Sequence, residues 1–236
     1  MNLKKESRSN WLIVCIFALA MAWVESAVVY YLRTHIDRIN PYQPNPLPTI
    51  GGLGPAELVR EFATMVMLFA VGFLAGKTWR ARWGYTLVAF GVWDIFYYVF
   101  LKVMCGWPHS LLDWDILFLL PLPWWGPVLA PVLIATLMII WGTSAAHFER
   151  QPTSALSNWL VWPSCFIGGA LALFVFMKDT WRVADQGVPV IREVLPTQFD
   201  WLRFLLALGL MSLPVAQEVL RRREPNETTI EPARAH

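Results

Sequence analysis

GVWDIFYYVFLKVMCGWPHSLLDWDILFLLPLPWWGPVLAP, residues 91–131, is the stretch that decides the fold. Most of it is apolar enough for the interior of a bilayer. Its first part nevertheless carries Asp94, Tyr97, Tyr98 and Lys102. A polar turn follows, with His109, Asp113 and Asp115, and then apolar sequence interrupted by Pro121, Pro123, Pro127 and Pro131. Charged groups inside a bilayer are expensive, so they pair with one another, line a wet cavity or mark a functional site. Asp94, Tyr98 and Lys102 are spaced i, i+4, i+8 and therefore fall on one side of a helix. Gly91, a turn earlier, lets a neighbouring helix approach. The part after the turn has two readings. One is a long, tilted, proline-bent helix starting near Asp115. The other, preferred here, is a short interfacial or re-entrant piece at 111–122 followed by a span at about 123–142. That version sets Trp124 and Trp125 at one membrane interface and Trp141 at the other.

Outward from this stretch the same character continues. The chain has 236 residues, of which 56% are hydrophobic and 15% charged, and its mean hydropathy is +0.46. A soluble domain of this length is far more polar. The excess comes from repeated runs of about 20 apolar residues, the length that crosses a hydrocarbon core. The expected fold is all-α: a single polytopic membrane helix bundle with about six transmembrane helices and a proline-broken fourth segment. Spans are expected at about 11–31, 56–75, 84–104, 123–142, 158–177 and 200–219, with a polar tail at 220–236. The first run could be taken for a signal peptide, but it continues through Tyr31 and is long enough to span. The prolines and glycines of 32–57 forbid a regular helix there and favour an extended path.

Net charge is +2 and there is no long basic block, so nucleic acid is not an expected partner. Cys15, Cys105 and Cys165 fall in separate runs without C-x-x-C spacing, which supports neither a disulfide framework nor a zinc knuckle. Basic residues gather at the amino terminus, at Lys77–Arg82 and at Arg221–Arg223. Six spans bring these together on the cytoplasmic side of the inner membrane, with both termini there.

This topology gathers the polar side chains of the first four spans in the outer half of the membrane. Glu25 shares a helix face with Ala18, Ala22 and Ser26, the small-residue stripe of a helix contact, so it points into the bundle. Glu25 and Asp94 are the candidate proton-handling pair, with Tyr98 beside them. Arg60, Glu61, Lys102, His109, Asp113 and Asp115 are candidate substrate-binding groups, with Arg60 and Lys102 available for anionic parts of a ligand. Each has a plainer reading. Glu25 and Asp94 can be hydrogen-bonded acids that tie helices together. Glu61 can be one half of an interfacial ion pair with Arg60 or Lys102, and Glu57 can simply complement the helix dipole. No cofactor is expected. Carboxylates with one histidine would suit iron, manganese or zinc, but no H-x-x-x-H or E-x-x-H lies in a span and a metal ion is not favoured. The expected partners are the lipid bilayer, a small or lipid-borne ligand and, in the rival class of a non-catalytic membrane subunit, another membrane protein.

The stretches ESAVVYYLR (Glu25–Arg33), REFATMVML (Arg60–Leu68), GVWDIFYYV (Gly91–Val99) and WDILFLLPLPWWGPVLAP (Trp114–Pro131) resemble a family of bacterial polytopic inner-membrane proteins without an assigned activity. The resemblance covers the first four spans and implies membrane location, not an activity.

Overall fold

The computed structural model describes residues 3–43, 53–147 and 155–223. Within them lie seven α-helices and one small sheet: α1 (Leu3–His35), α2 (Leu53–Ala75), α3 (Trp79–Cys105), β1 (Trp114–Ile116), β2 (Trp125–Pro127), α4 (Leu129–His147), α5 (Ala155–Trp181), α6 (Val188–Glu193) and α7 (Trp201–Arg223). A single 3-10 turn, Ala184–Gln186, precedes α6. The fold is the expected all-α membrane bundle. Helices α1 to α5 each contain a stretch long and apolar enough to cross a bilayer, and α7 carries a shorter apolar stretch, Trp201–Gln217. The outward faces carry large apolar side chains such as Ile16, Phe62, Leu74, Phe166 and Leu202, all more than 60% exposed. A surface of that kind suits hydrocarbon and not water.

Helix α3 is the hub, packed against α1, α2 and α4, while α5 packs on α7 and α4 bridges the two groups. Close approach depends on small residues. Added to Gly142, a Cβ would meet the Gly84 carbonyl oxygen at 2.5 Å, and added to Gly91 it would meet the Ala135 carbonyl at 2.6 Å, so α3 and α4 touch backbone to backbone. Gly168 against Ala207 does the same for α5 and α7. At the end of the bundle where α1 begins, Asn10 donates to the Ala75 carbonyl at 3.0 Å and Trp11 donates to the Thr143 hydroxyl at 3.1 Å. Those bonds hold the start of α1 against the ends of α2 and α4. Helix α3 starts on Thr78, whose hydroxyl accepts the Ala81 N–H, and stops at Gly106 in the left-handed region, φ 76°. Asp200 caps α7: it accepts the Arg203 N–H at 3.2 Å. That bond and the Arg203 guanidinium hold its carboxyl below the usual range.

Several boundaries differ from the sequence expectation. Residues 106–128 contain neither a re-entrant helix nor the start of the fourth span. They fold as a hairpin in which β1 pairs antiparallel with β2, Asp115 opposite Gly126. Pro121 and Pro123 lie in its turn and Pro127 ends β2, because a residue without an N–H cannot continue a helix there. Pro131 falls in the first turn of α4, where the missing N–H has no intrahelical partner to lose. The span therefore begins at Leu129 instead of near 123. Trp124 and Trp125 are not belt aromatics either. Trp125 is buried and meets Tyr42 edge-on, and Trp124 stacks on Phe176. Helix α1 also begins eight residues earlier than expected, and the 178–199 loop contains α6. Part of the proline-rich connection after α1, residues 44–52, and the tail from 224 onward lie outside the described residues.

The glycine contacts give a direct test. Gly142→Ala should destabilise the purified protein by about 1–3 kcal/mol, the cost of forcing atoms into a packed contact. Gly169→Ala should not, since a Cβ there meets nothing within 4 Å and alanine suits a helix better than glycine by roughly 0.5–1 kcal/mol. Thermal unfolding followed by tryptophan fluorescence in detergent reads both, and equal losses at the two positions would refute the packing described.

Candidate functional site

Two cavities meet inside the bundle. The first, the polar cavity, is about 170 Å³, carries charged side chains in a partly apolar lining and reaches from the α1 and α2 ends, at Arg38 and Glu57, down to Asp94 near the middle of α3. The second, about 250 Å³, is lined almost wholly by apolar side chains of α3, the hairpin, α4, α5 and α7. Asp94, Leu117 and Phe118 belong to both linings and form the wall between them.

The polar cavity is built by a few side chains at helical spacing. On α1, Glu25, Val29 and Arg33 follow one another at i, i+4, i+8 and all face inward. On α2, Glu57, Arg60, Glu61 and Thr64, at i, i+3, i+4 and i+7, also face inward. Arg60 forms an ion pair with Glu25 across the α1–α2 contact, and its Nε and Nη2 each lie 2.8 Å from Glu57 Oε2. The Thr64 hydroxyl donates to the other Glu25 oxygen at 3.1 Å. Ser26, next to Glu25, lies 2.7 Å from the Ala22 carbonyl and 3.0 Å from that of Tyr97, so its hydroxyl joins α1 to α3. Glu61 receives the Leu119 N–H at 3.1 Å and thereby pins the hairpin loop to α2.

A second buried pair lies at the α1 end of the cavity. Arg33 Nη2 donates to Asp115 Oδ1 at 2.7 Å, its Nη1 reaches the Ile39 carbonyl at 3.4 Å, and its guanidinium carbon sits 4.3 Å above the Trp107 ring. Asp115 is fully buried in β1 and takes the Ile116 N–H at 2.9 Å as well. Burial pushes the Asp115 carboxyl above its ordinary range, and the Arg33 guanidinium works most strongly against that shift. Arg38, just past α1, gives its guanidinium to the Pro41 and Gln43 carbonyls; burial lowers its pKa from the usual value.

Asp94 is different. It is only 9% exposed, yet it makes no hydrogen bond or ion pair among the described residues. Its surroundings are aromatic: Trp93, Tyr97 and Tyr98 line the polar cavity with it, and Phe118 packs 6.3 Å from Trp93. The Trp93 indole N–H also lacks a partner among the described residues. Asp94 therefore presents an uncompensated carboxyl group to both cavities.

Of the sequence candidates, Glu25, Arg60, Glu61, Asp94 and Tyr98 come together around the polar cavity, with Asp115 directly behind Arg33. Lys102, His109 and Asp113 do not line it. Lys102 turns to the end of its own helix and donates to the Gly106 and Pro108 carbonyls at 2.9 and 2.8 Å, as lysine does near a helix C-terminus. Asp113 accepts the His109 N–H at 2.7 Å and shapes the exposed turn. Glu61 pairs with a backbone amide instead of the expected Arg60 or Lys102, and Glu25 is engaged by Arg60 instead of facing Asp94 as a second free acid. Arg60 and Lys102 are both occupied by the protein itself, which removes them as ready anion holders. Arg33 was missed, although its distance of two turns from Glu25 signals a shared face. Among the described residues, no three His, Cys, Asp or Glu side chains come together as a metal site. No protein-family model, curated protein or solved structure matches this chain.

The buried Arg33–Asp115 pair generates a measurable coupling. Arg33→Met or Asp115→Leu alone should cost about 3–5 kcal/mol, because each leaves a buried charge unmatched. The double variant should regain most of that loss. A double-mutant cycle on unfolding in detergent measures it, and strictly additive losses would contradict the pairing.

Proposed function

We propose that the protein is an inner-membrane binding site, open on the non-cytoplasmic side, for a small or lipid-borne substrate, with acid–base chemistry at Asp94. Asp94 carries this reading. It is buried, makes no hydrogen bond or ion pair among the described residues and lines both cavities, and an unmatched intramembrane acid is a functional-site hypothesis by default. Glu25 serves by fixing Arg60, and Tyr97 and Tyr98 line the same cavity as the acid. The orientation rests on the arginines and lysines. The start of α1, the Lys77–Arg82 connection and the Arg221–Arg223 end of α7 lie at one end of the bundle, the distribution expected of a cytoplasmic face with six crossings.

A second reading, a non-catalytic subunit whose acids fasten helices or dock a membrane partner, draws on the other carboxylates. Glu25, Glu57, Glu61 and Asp115 are each taken up in contacts between structural elements or within one. It leaves Asp94 without a task.

Asp94→Asn separates the two. Native mass spectrometry of protein extracted from its own membrane should show a bound small molecule or lipid whose occupancy falls at least tenfold in the variant. The unfolding temperature should stay within a few degrees. Identical bound species in wild type and variant would refute the site.

A further inference from the structure

The charge balance around the polar cavity says what kind of ligand belongs there. Among the described residues, Glu25, Glu57, Glu61, Asp94 and Asp115 face three guanidinium groups, those of Arg33, Arg38 and Arg60. Each of these is already held by carboxylate or carbonyl oxygens. Among the described residues of the lining, no further cation is left for a phosphate or carboxylate, and an anionic ligand would add to an excess of acid. Trp93, Tyr97 and Phe118 line the same cavity as this acid, and aromatic ring faces attract a cation within about 6 Å. Asp94 also lines the apolar cavity, where a Cβ added to Gly169 would meet nothing within 4 Å and Leu173 is 38% exposed.

We infer that the two cavities hold one amphiphile, its ammonium head on Asp94 and its hydrocarbon chain in the apolar cavity beside Gly169. This rests on the reading of the polar cavity as a ligand site and names the ligand's class. The ammonium donates to the carboxylate and supplies the missing positive charge, while the aromatic rings take the carbons next to the nitrogen. The chain enters between α4 and α5, where the apolar cavity is bounded by Met138 and Leu173, so a ligand dissolved in the bilayer reaches the acid without passing through water.

The test uses the full chain in phosphatidylcholine nanodiscs, with radiolabelled dodecylamine as probe and empty nanodiscs subtracted. Dodecylamine should bind saturably. Asp94→Asn should weaken it at least tenfold. Gly169→Phe, and Gly169→Leu as a smaller plug, should weaken it at least tenfold while leaving weak competition by butylamine unchanged. Dodecanoate should not compete. If dodecanoate or dodecanol competes as well as dodecylamine and Asp94→Asn still weakens them, the ammonium assignment fails and the acid site stands. Dodecylamine binding that ignores Asp94→Asn ends both readings. Binding that ignores both glycine variants, with unfolding temperatures near wild type, overturns the placement of the chain.

Discussion

A guanidinium group inside a bilayer has to be neutralised by a partner from its own protein, and this fold is arranged around two such neutralisations. Arg60 of α2 meets Glu25 of α1, and Arg33 of α1 meets Asp115 of the hairpin. Each pair joins elements distant in sequence, so the charges fix how α1 sits against α2 and how the 106–128 segment closes over the bundle. Taking two charges out of water is costly in itself. The return is positional: the ion pairs hold Glu25 beside Thr64 and the hairpin against α1, and the Ser26 hydroxyl on the Tyr97 carbonyl joins α1 to α3.

The hairpin is what divides that hollow. Its backbone would be intolerable against lipid, since irregular segments at membrane depth survive only when buried in protein or facing a cavity. Here Asp115 and Gly126 pair within the hairpin, Glu61 takes the Leu119 amide, and Thr180 of α5 donates to the Pro123 carbonyl at 2.9 Å. With its polar groups met in this way, Phe118 can be held against Trp93 and Trp124 as a partition. One side of the partition is polar and the other apolar. Asp94 lines both together with Leu117 and Phe118, and among the described acids of the two linings it is the one without a hydrogen-bond or ion-pair partner.

How much of this the sequence reveals depends on the kind of signal. Helix existence is carried by long apolar runs and was legible throughout. The small-residue face of α1 was legible too: Ala18, Ala22 and Ser26 are fully buried beside Glu25. The hairpin was not, because LFLLPLPWWGPV has the hydropathy of a span and its strands are only three residues each. That error displaced the fourth helix by six residues. Lys102 illustrates a different limit. Its spacing from Asp94 is correct for a shared stripe, yet a flexible lysine near a helix end reaches the unsatisfied carbonyls there. Arg33 was overlooked because hydropathy ends the span before it, while the helix itself continues to His35. Which acids are matched and which is left over depends on contacts between spans, and no spacing within a span encodes them.

The site therefore depends on one side chain, Asp94, left without a partner among the described residues in the lining of both cavities. The most direct measurement is an experimental density map of the protein in lipid nanodiscs at a resolution that shows side chains. It should show the Arg60–Glu25 and Arg33–Asp115 pairs closed and elongated non-protein density running from the Asp94 carboxyl past Phe118 to Gly169. Asp94 paired with a protein cation, or turned outward to lipid with both cavities collapsed, would contradict the account.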